Sequence, residues 1–214
     1  MSERTVDDRL REEYFALLPD ARRVREELEA EVRHCLLPLS SALDRYEKIE
    51  ITSRIKDCES ALGALRRRQE GATFDPDQAE SYSLKSLNDL AGVRVLAFPR
   101  SRWYEANDAL RRHETFASWA SDPVRSDDRS TELAFKYHGV CSRNVKPRAE
   151  LQIVPMLIGL FWEVEHSAIY KPSPHLKGAL ATQEMRQRTN DVLQAIESFE
   201  AEFERLVRRD PRTS

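Results

Sequence analysis

The stretch AELQIVPMLIGLFWEVEHSAIYK, Ala149 to Lys171, is the most apolar long segment of a 214-residue chain, and its period changes part-way through. As far as Ile153 it alternates. Ala149, Leu151 and Ile153 share one face of a strand, and Glu150 and Gln152 share the other, about 7 Å apart. From Pro155 the spacing is helical, with Leu157, Leu160/Phe161, Val164 and Ala168 as the expected buried stripe. Pro155 suits a first helical turn, where its missing N–H costs nothing, and Pro172 and Pro174 stop the helix. A strand that runs into a helix marks an α/β unit. A carboxylate on a central strand is costly to desolvate unless it meets a metal, a proton or a cation, so Glu150 is a candidate for chemistry. The competing explanation is an edge strand with a wet face.

Outward from this unit, LAGVRVLAF (Leu90–Phe98) is an apolar run that predicts a second buried strand. LAFKYHGVCSR and RAELQIV predict two more, paired or neighbouring, and Ile51 to Arg54 turns β-like. Helices are expected from about Asp20 to Leu37, through Leu39, Leu43 and Tyr46 after a break at Pro38, from Ser60 to Arg68, over WYEANDALRRH, and from about Leu180 to Arg209. GATFDPDQAE (Gly71–Glu80) reads as a loop and SDPVRSDDRST as a turn-rich, mobile segment. In the last helix Val192, Ile196, Phe199, Phe203 and Leu206 line one side, which needs a partner surface on its own domain or on a second subunit. The whole is an α/β core with helical flanks.

Forty per cent apolar and 33% charged residues suit a soluble protein rich in solvated helices. No run reaches the ~20 apolar residues that span a bilayer, and the charged start MSERTVDDRLREEY is no signal peptide. Cys35, Cys58 and Cys141 have no metal spacing and read as free thiols, so a cytoplasmic location is expected. A net charge of -3 provides no general attraction to nucleic acid, although Arg66, Arg67 and Arg68 form a basic run.

The candidate chemistry collects around two carboxylates. Asp89 precedes the strand that contains Gly92 and Arg94; with Glu150 on a neighbouring strand it makes a site for a divalent cation, which takes hard oxygen ligands and needs few from protein when phosphates supply the rest. Arg54, Lys56 and Ser60, in SRIKDCES, place two charges and a hydroxyl where a strand passes to a helix, a place that favours phosphate. Arg94 lies on the same side of its strand as Gly92 and can stack on a base, and Tyr137 could stack another.

In order, SRIKDCES, NDLAGVRVL, a YxGV strand, AELQIV and EHSAIYK resemble the RelA/SpoT alarmone synthetase domain, whose pattern runs R-x-K-x-x-x-S, D-x-x-G-x-R, G-Y-x-S-x-H, E-x-Q-x-R-T, E-H-x-x-x-Y-K. The resemblance covers roughly Ile51 to Lys171, and the long helices at both ends are similar to those of small, synthetase-only members. It implies a small mixed β-sheet with flanking helices, related to nucleotidyltransferases. The implied division is a helical segment over 1–48, the synthetase domain over 49–175 and a C-terminal helix over 176–214. It further implies transfer of pyrophosphate from ATP to the 3′-hydroxyl of GTP or GDP. Arg54 and Arg94 would sandwich adenine, and Lys56, Ser60 and Arg67 would hold phosphates. Asp89 and Glu150 would bind Mg²⁺, with Glu150 as metal ligand or base and Gln152 in support. Tyr137, flanked by Lys136 and His138, would take the acceptor guanine, and Glu165, His166 and Lys171 would brace the site.

Departures from the pattern fall mainly on the acceptor side. Val154-Pro155 replace Arg-Thr, His138 and Cys141 stand for Arg and His, Gly159 for an Asn that helps read guanine, and Phe161 for a Trp; on the donor side Ala64 replaces a Lys. A toxin-type member that pyrophosphorylates the 3′ end of tRNA is therefore an alternative, with an antitoxin as its partner. A non-catalytic nucleotide-binding module is a third. No His-Asp hydrolase motif is found in the first ~50 residues, so alarmone hydrolysis is not expected. The tail helix either builds a homo-oligomer or packs on its own core.

Overall fold

The strand expected at Ala149 forms as β6 (Ala149–Pro155), and its pairing organises the sheet. The computed structural model describes residues 5–70, 82–125, 132–141, 147–165 and 183–207. β6 runs parallel to β2 (Ala91–Phe98) and antiparallel to β5 (Glu132–Gly139). β1 (Lys48–Ile55) pairs antiparallel with β2 at one edge. The two-residue strands β3 (Ala120–Ser121) and β4 (Val124–Arg125) pair with β5, so the turn-rich segment begins as sheet rather than as coil. The resulting six-stranded mixed sheet has the order β1-β2-β6-β5-β3, with β4 beside β5. The expected loop Gly71–Glu80 lies outside the described residues.

One face of the sheet is a conventional apolar layer. Val93, Val95, Leu151 and Ile153 pack against α1 (Val6–Ser41) and α3 (Arg100–Arg112). At its centre Trp103 is fully buried, stacks on Phe135 at 4.5 Å, and donates its indole N–H to the Ile153 carbonyl at 2.9 Å. Beyond α3, the short α4 (Glu114–Ala117) leads to Trp119, whose ring lies on Gly139. A Cβ at Gly139 would fall 2.4 Å from that ring. Gly139→Ala is therefore expected to cost about 1–3 kcal/mol through overpacking. A thermal midpoint lowered by several degrees in a melting experiment checks it.

α1 is a single 36-residue helix where a break at Pro38 was expected. Thr5 and Asp8 form a capping box at its start. Its buried residues, Leu10, Tyr14, Leu17, Ala21, Val24, Leu28, Val32 and Leu36, make one stripe at spacings of three and four. Pro19 and Pro38 lie on the exposed side, where the carbonyls that lose their N–H partner face water. Continuous burial on the other side outweighs them.

The second face of the sheet is divided. Leu96, Ala134 and Val154 are covered by α5 (Met156–Glu165) and α6 (Gln183–Val207), while the polar residues occupy the other end. The stripe expected on α5 is not the buried one: Met156, Ile158 and Gly159 are buried, whereas Leu160 and Val164 are 47% and 64% exposed. Gly159 is the cause, because a Cβ there would meet Leu96 Cδ2 at 2.4 Å, and without it the helix rests directly on the sheet. Pro155 is the last strand residue, not the first helical one. In α6 the expected stripe is split. Of its residues Ile196 and Phe203 turn inward, joined by Leu193 from outside the stripe, and Val192, Phe199 and Leu206 are exposed, so the helix packs on its own core along one edge.

Candidate active site

Strand register assembles the site from rows across four strands. Arg54 pairs with Gly92, Gly92 with Glu150, and Glu150 with His138, so these four residues cross the sheet in one line. The next line is Thr52, Arg94, Gln152 and Lys136. Paired residues project to the same face. The third line ends in the buried Leu96, Val154 and Ala134 under α5 and α6, which closes that end of the face.

Hydrogen bonds join the two polar rows. Gln152 Nε2 donates to Glu150 Oε1 at 2.5 Å, and its Oε1 accepts from Arg94 Nε at 3.0 Å. His138 Nε2 lies 3.0 Å from Glu150 Oε2. Arg94 also meets Glu163 of α5 at 3.3 Å. Burial pushes the Glu150 carboxyl up, but the bonds from His138 and Gln152 and the charges of Lys136 and His138 outweigh it and hold Glu150 below the usual carboxylate range. It is a buried carboxylate whose ionised form is favoured by its partners. Burial lowers the pKa of Arg94, and the like charge of Arg54 lowers it further, against the opposite pull of Glu163 and Glu150. Two arginines of like charge thus share this face on either side of a glycine position. A planar ring or an anion between them would relieve the repulsion, and Gly92 leaves room over the sheet for one.

At the sheet end, Lys56 follows β1 and forms a part-buried ion pair with Asp89. The other Asp89 oxygen, Oδ1, is buried without a hydrogen-bond partner. α2 (Cys58–Glu70) starts two residues on, and the amide of Ser60 donates to Asp57 Oδ1 at 2.9 Å. An acidic cap thus already occupies a helix start expected to favour phosphate. Ser60 and Arg67, seven apart, share a face of α2. In the basic run, Arg66 pairs with Asp7 and Arg68 donates to the Ser86 carbonyl, so two of its three arginines are turned onto their own chain.

Six of the fourteen expected residues share one face of the sheet: Arg54, Arg94, Glu150, Gln152, Lys136 and His138. Tyr137 does not. It pairs with Leu151, points into the apolar layer at 4% exposure, and donates its hydroxyl to Asn107 Oδ1 at 2.6 Å. It is a core residue and no ring for a guanine to stack on. Gly159, at the position associated with guanine reading, is packing against Leu96. Asp89 and Glu150 precede and occupy neighbouring strands, but among the described residues no three His, Cys, Asp or Glu gather to hold a metal ion. Glu165 ends α5, its carboxyl pushed up by burial. His166 and Lys171 lie outside the described residues. Glu163 and Thr52 were missed. Alternation from Arg54 could have found Thr52, whereas Glu163 is visible only once α5 is laid across β2.

Tyr137→Phe tests this correction. Leaving Asn107 Oδ1 unpaired is expected to cost about 1–3 kcal/mol of stability. Denaturant unfolding would show it, and an unchanged midpoint would contradict the buried assignment.

No protein-family model matches the sequence, and no curated protein matches it. Solved structures do match. The small alarmone synthetase 1 from Bacillus subtilis superposes with a TM-score of 0.64 at 16% identity, over 91% of this chain and 96% of that one. The same synthetase bound to its product pppGpp gives 0.62 at 17% identity, over 89% and 93% of the two chains. Bound to AMPCPP it gives 0.59 at 20%, over 91% and 96%. The chain therefore has the fold of the small alarmone synthetases: a mixed sheet between long N- and C-terminal helices. Among the described residues no helix is long and apolar enough to cross a membrane.

Proposed function

We propose that the chain transfers the pyrophosphoryl group of ATP to the 3′-hydroxyl of GDP or GTP. The observation that carries this reading is the pair of rows Arg54–Gly92–Glu150–His138 and Thr52–Arg94–Gln152–Lys136, in which two arginines share a face with a buried carboxylate. The fold, and neighbours solved with AMPCPP and with pppGpp as product, support it.

On this reading adenine enters between Arg54 and Arg94 over Gly92, and Lys56, Ser60 and Arg67 hold the phosphates. The acceptor hydroxyl attacks the β-phosphorus. The new O–P bond forms as the bond to the α-phosphate oxygen breaks, and AMP leaves with the electron pair. Glu150, fixed on both oxygens by Gln152 and His138, orients the hydroxyl and takes its proton as bond formation makes it acidic. Lys136 and the arginines stabilise the charge that develops. Glu165, His166 and Lys171 keep the bracing role that the resemblance implies.

The buried, unpartnered Asp89 Oδ1 fits a magnesium ligand, and Asp89 and Glu150 are the carboxylates that would hold the ion. Bound Mg²⁺ supplies neutralisation of phosphate charge. Asp89→Asn is accordingly expected to raise at least tenfold the magnesium concentration for half-maximal transfer. Unaltered magnesium dependence would remove Asp89 from this role.

One observation favours a second acceptor. With Tyr137 in the core, the ring that the resemblance assigns to the acceptor guanine is turned away from this face, whereas a polynucleotide end is held largely by its phosphates. The 3′ end of tRNA is that alternative, although the self-directed Arg66 and Arg68 leave a thinner basic path to the site. ATP labelled in its β- and γ-phosphates, offered with GDP, GTP or bulk tRNA, separates the two. Label in a guanine nucleotide supports the first reading, label on tRNA the second, and no transfer to any acceptor sinks both.

A further inference from the structure

The inner edge of α6 carries three carboxylates, and two have partners. Glu197 accepts from Arg100 Nη1 at 3.0 Å, and Glu204 accepts from the Ser101 amide in the first turn of α3 at 2.6 Å. Glu200, between them in sequence, is fully buried, and neither of its oxygens has a hydrogen-bond partner. Its other neighbours on this edge of the helix are apolar. Ile196 joins the cluster of Leu96 and Val154, and Phe203 meets Phe98 at 5.1 Å and Tyr46 at 5.7 Å. The charged groups around it are Arg100 from α3 and Glu197 and Glu204 from α6 itself. From β5, Arg100 takes the Glu132 carbonyl, and the Glu132 carboxylate turns to Arg125 of β4. From α5, the groups in this cluster are Met156, Ile158 and Trp162, all uncharged.

A leucine would hold α6 down better than a carboxyl with nothing to bind. A buried polar group without a partner calls for an explanation. Protonated, Glu200 is a neutral side chain that the apolar seam tolerates; ionised, it is a charge removed from water with no compensating bond.

We propose that Glu200 is a proton-operated latch: α6 is seated on the sheet while Glu200 is protonated, and ionisation of Glu200 loosens it. The other observations agree. Burial, opposed by Arg100 and reinforced by Glu204 and Glu197, pushes the Glu200 carboxyl from 4.5 up to about 7. The seated state therefore binds the proton more tightly than the released one. Its contribution to seating is full below the ordinary carboxylate value, is lost as pH rises through about 7, and is constant above that. A shift of this size weakens seating on the order of a hundredfold between pH 5 and pH 8. The latch sets how firmly the blind end of the site face, at Leu96, Val154 and Ala134, is covered.

Hydrogen exchange of the full chain tests the latch, with protection factors corrected for the intrinsic pH dependence of exchange. In the wild type, α6 amides are expected to lose on the order of a hundredfold in protection from pH 5 to pH 8, while β2 and β6 amides stay constant. In Glu200→Gln, and in Glu200→Leu should the glutamine fail to fold, α6 protection is expected to be level across the range. A wild-type α6 with no pH-dependent loss, or a loss of equal size in the variants, overturns the proposal. Neither outcome depends on the transfer reaction.

Discussion

Glu150→Gln is expected to slow transfer roughly a thousandfold, within the range that loss of a positioned proton acceptor produces, and to leave the fold intact. The two expectations come from the same contacts. Glutamine keeps the size of the side chain, and its oxygen and nitrogen can still pair with Gln152 and His138 once those partners reorient. The change removes the charge. That charge is what His138, Gln152 and Lys136 hold in place against burial, and a neutral amide neither accepts the hydroxyl proton nor serves as an anionic ligand. Single-turnover transfer and a thermal melt of the same preparation check the pair of expectations. Near-normal transfer would remove Glu150 from the chemistry, and a collapsed melt would make it a structural residue instead.

Trp103→Ala is expected to have the largest effect on stability, about 3–5 kcal/mol. The indole is fully buried, stacks on Phe135 and lies 5.1 Å under the Arg100 guanidinium. Its loss leaves a cavity between α3 and the sheet and removes the indole N–H from the Ile153 carbonyl. Ile153 adjoins Gln152, so the damage reaches the strand that positions Glu150. Against a total stability of about 5–15 kcal/mol, the variant is expected to be close to unfolding at 37 °C. A urea midpoint within error of the wild type would show that the layer between α3 and β6 is not packed as described.

Local alternation was enough to read much of this site. It placed Glu150 and Gln152 on one face of β6 and Gly92 with Arg94 on one face of β2, because a period of two holds whatever the neighbours are. Tyr137 shows where that rule ends. Alternation separates Tyr137 from His138 but does not say which of them faces Glu150; that depends on the register of β5 with β6. Matching the aromatic to the Tyr of G-Y-x-S-x-H put the ring in the site. Setting the pattern's His on His138 instead puts its Tyr at Ala134, on the site face but under α6 and without a ring. The helices erred for a related reason. Prolines on the wet side of α1 did not break it, and the glycine in α5, rather than its leucines, decided which side went down. Both outcomes depend on what lies beneath the helix.

If this face directs an acceptor hydroxyl to the β-phosphorus of ATP, the nucleotide left behind reports it most directly. With ATP, Mg²⁺ and an acceptor, quantitative separation of the products is expected to show AMP appearing mole for mole with pyrophosphorylated acceptor. ADP in place of AMP, or an unchanged ATP pool with every acceptor offered, would contradict the account.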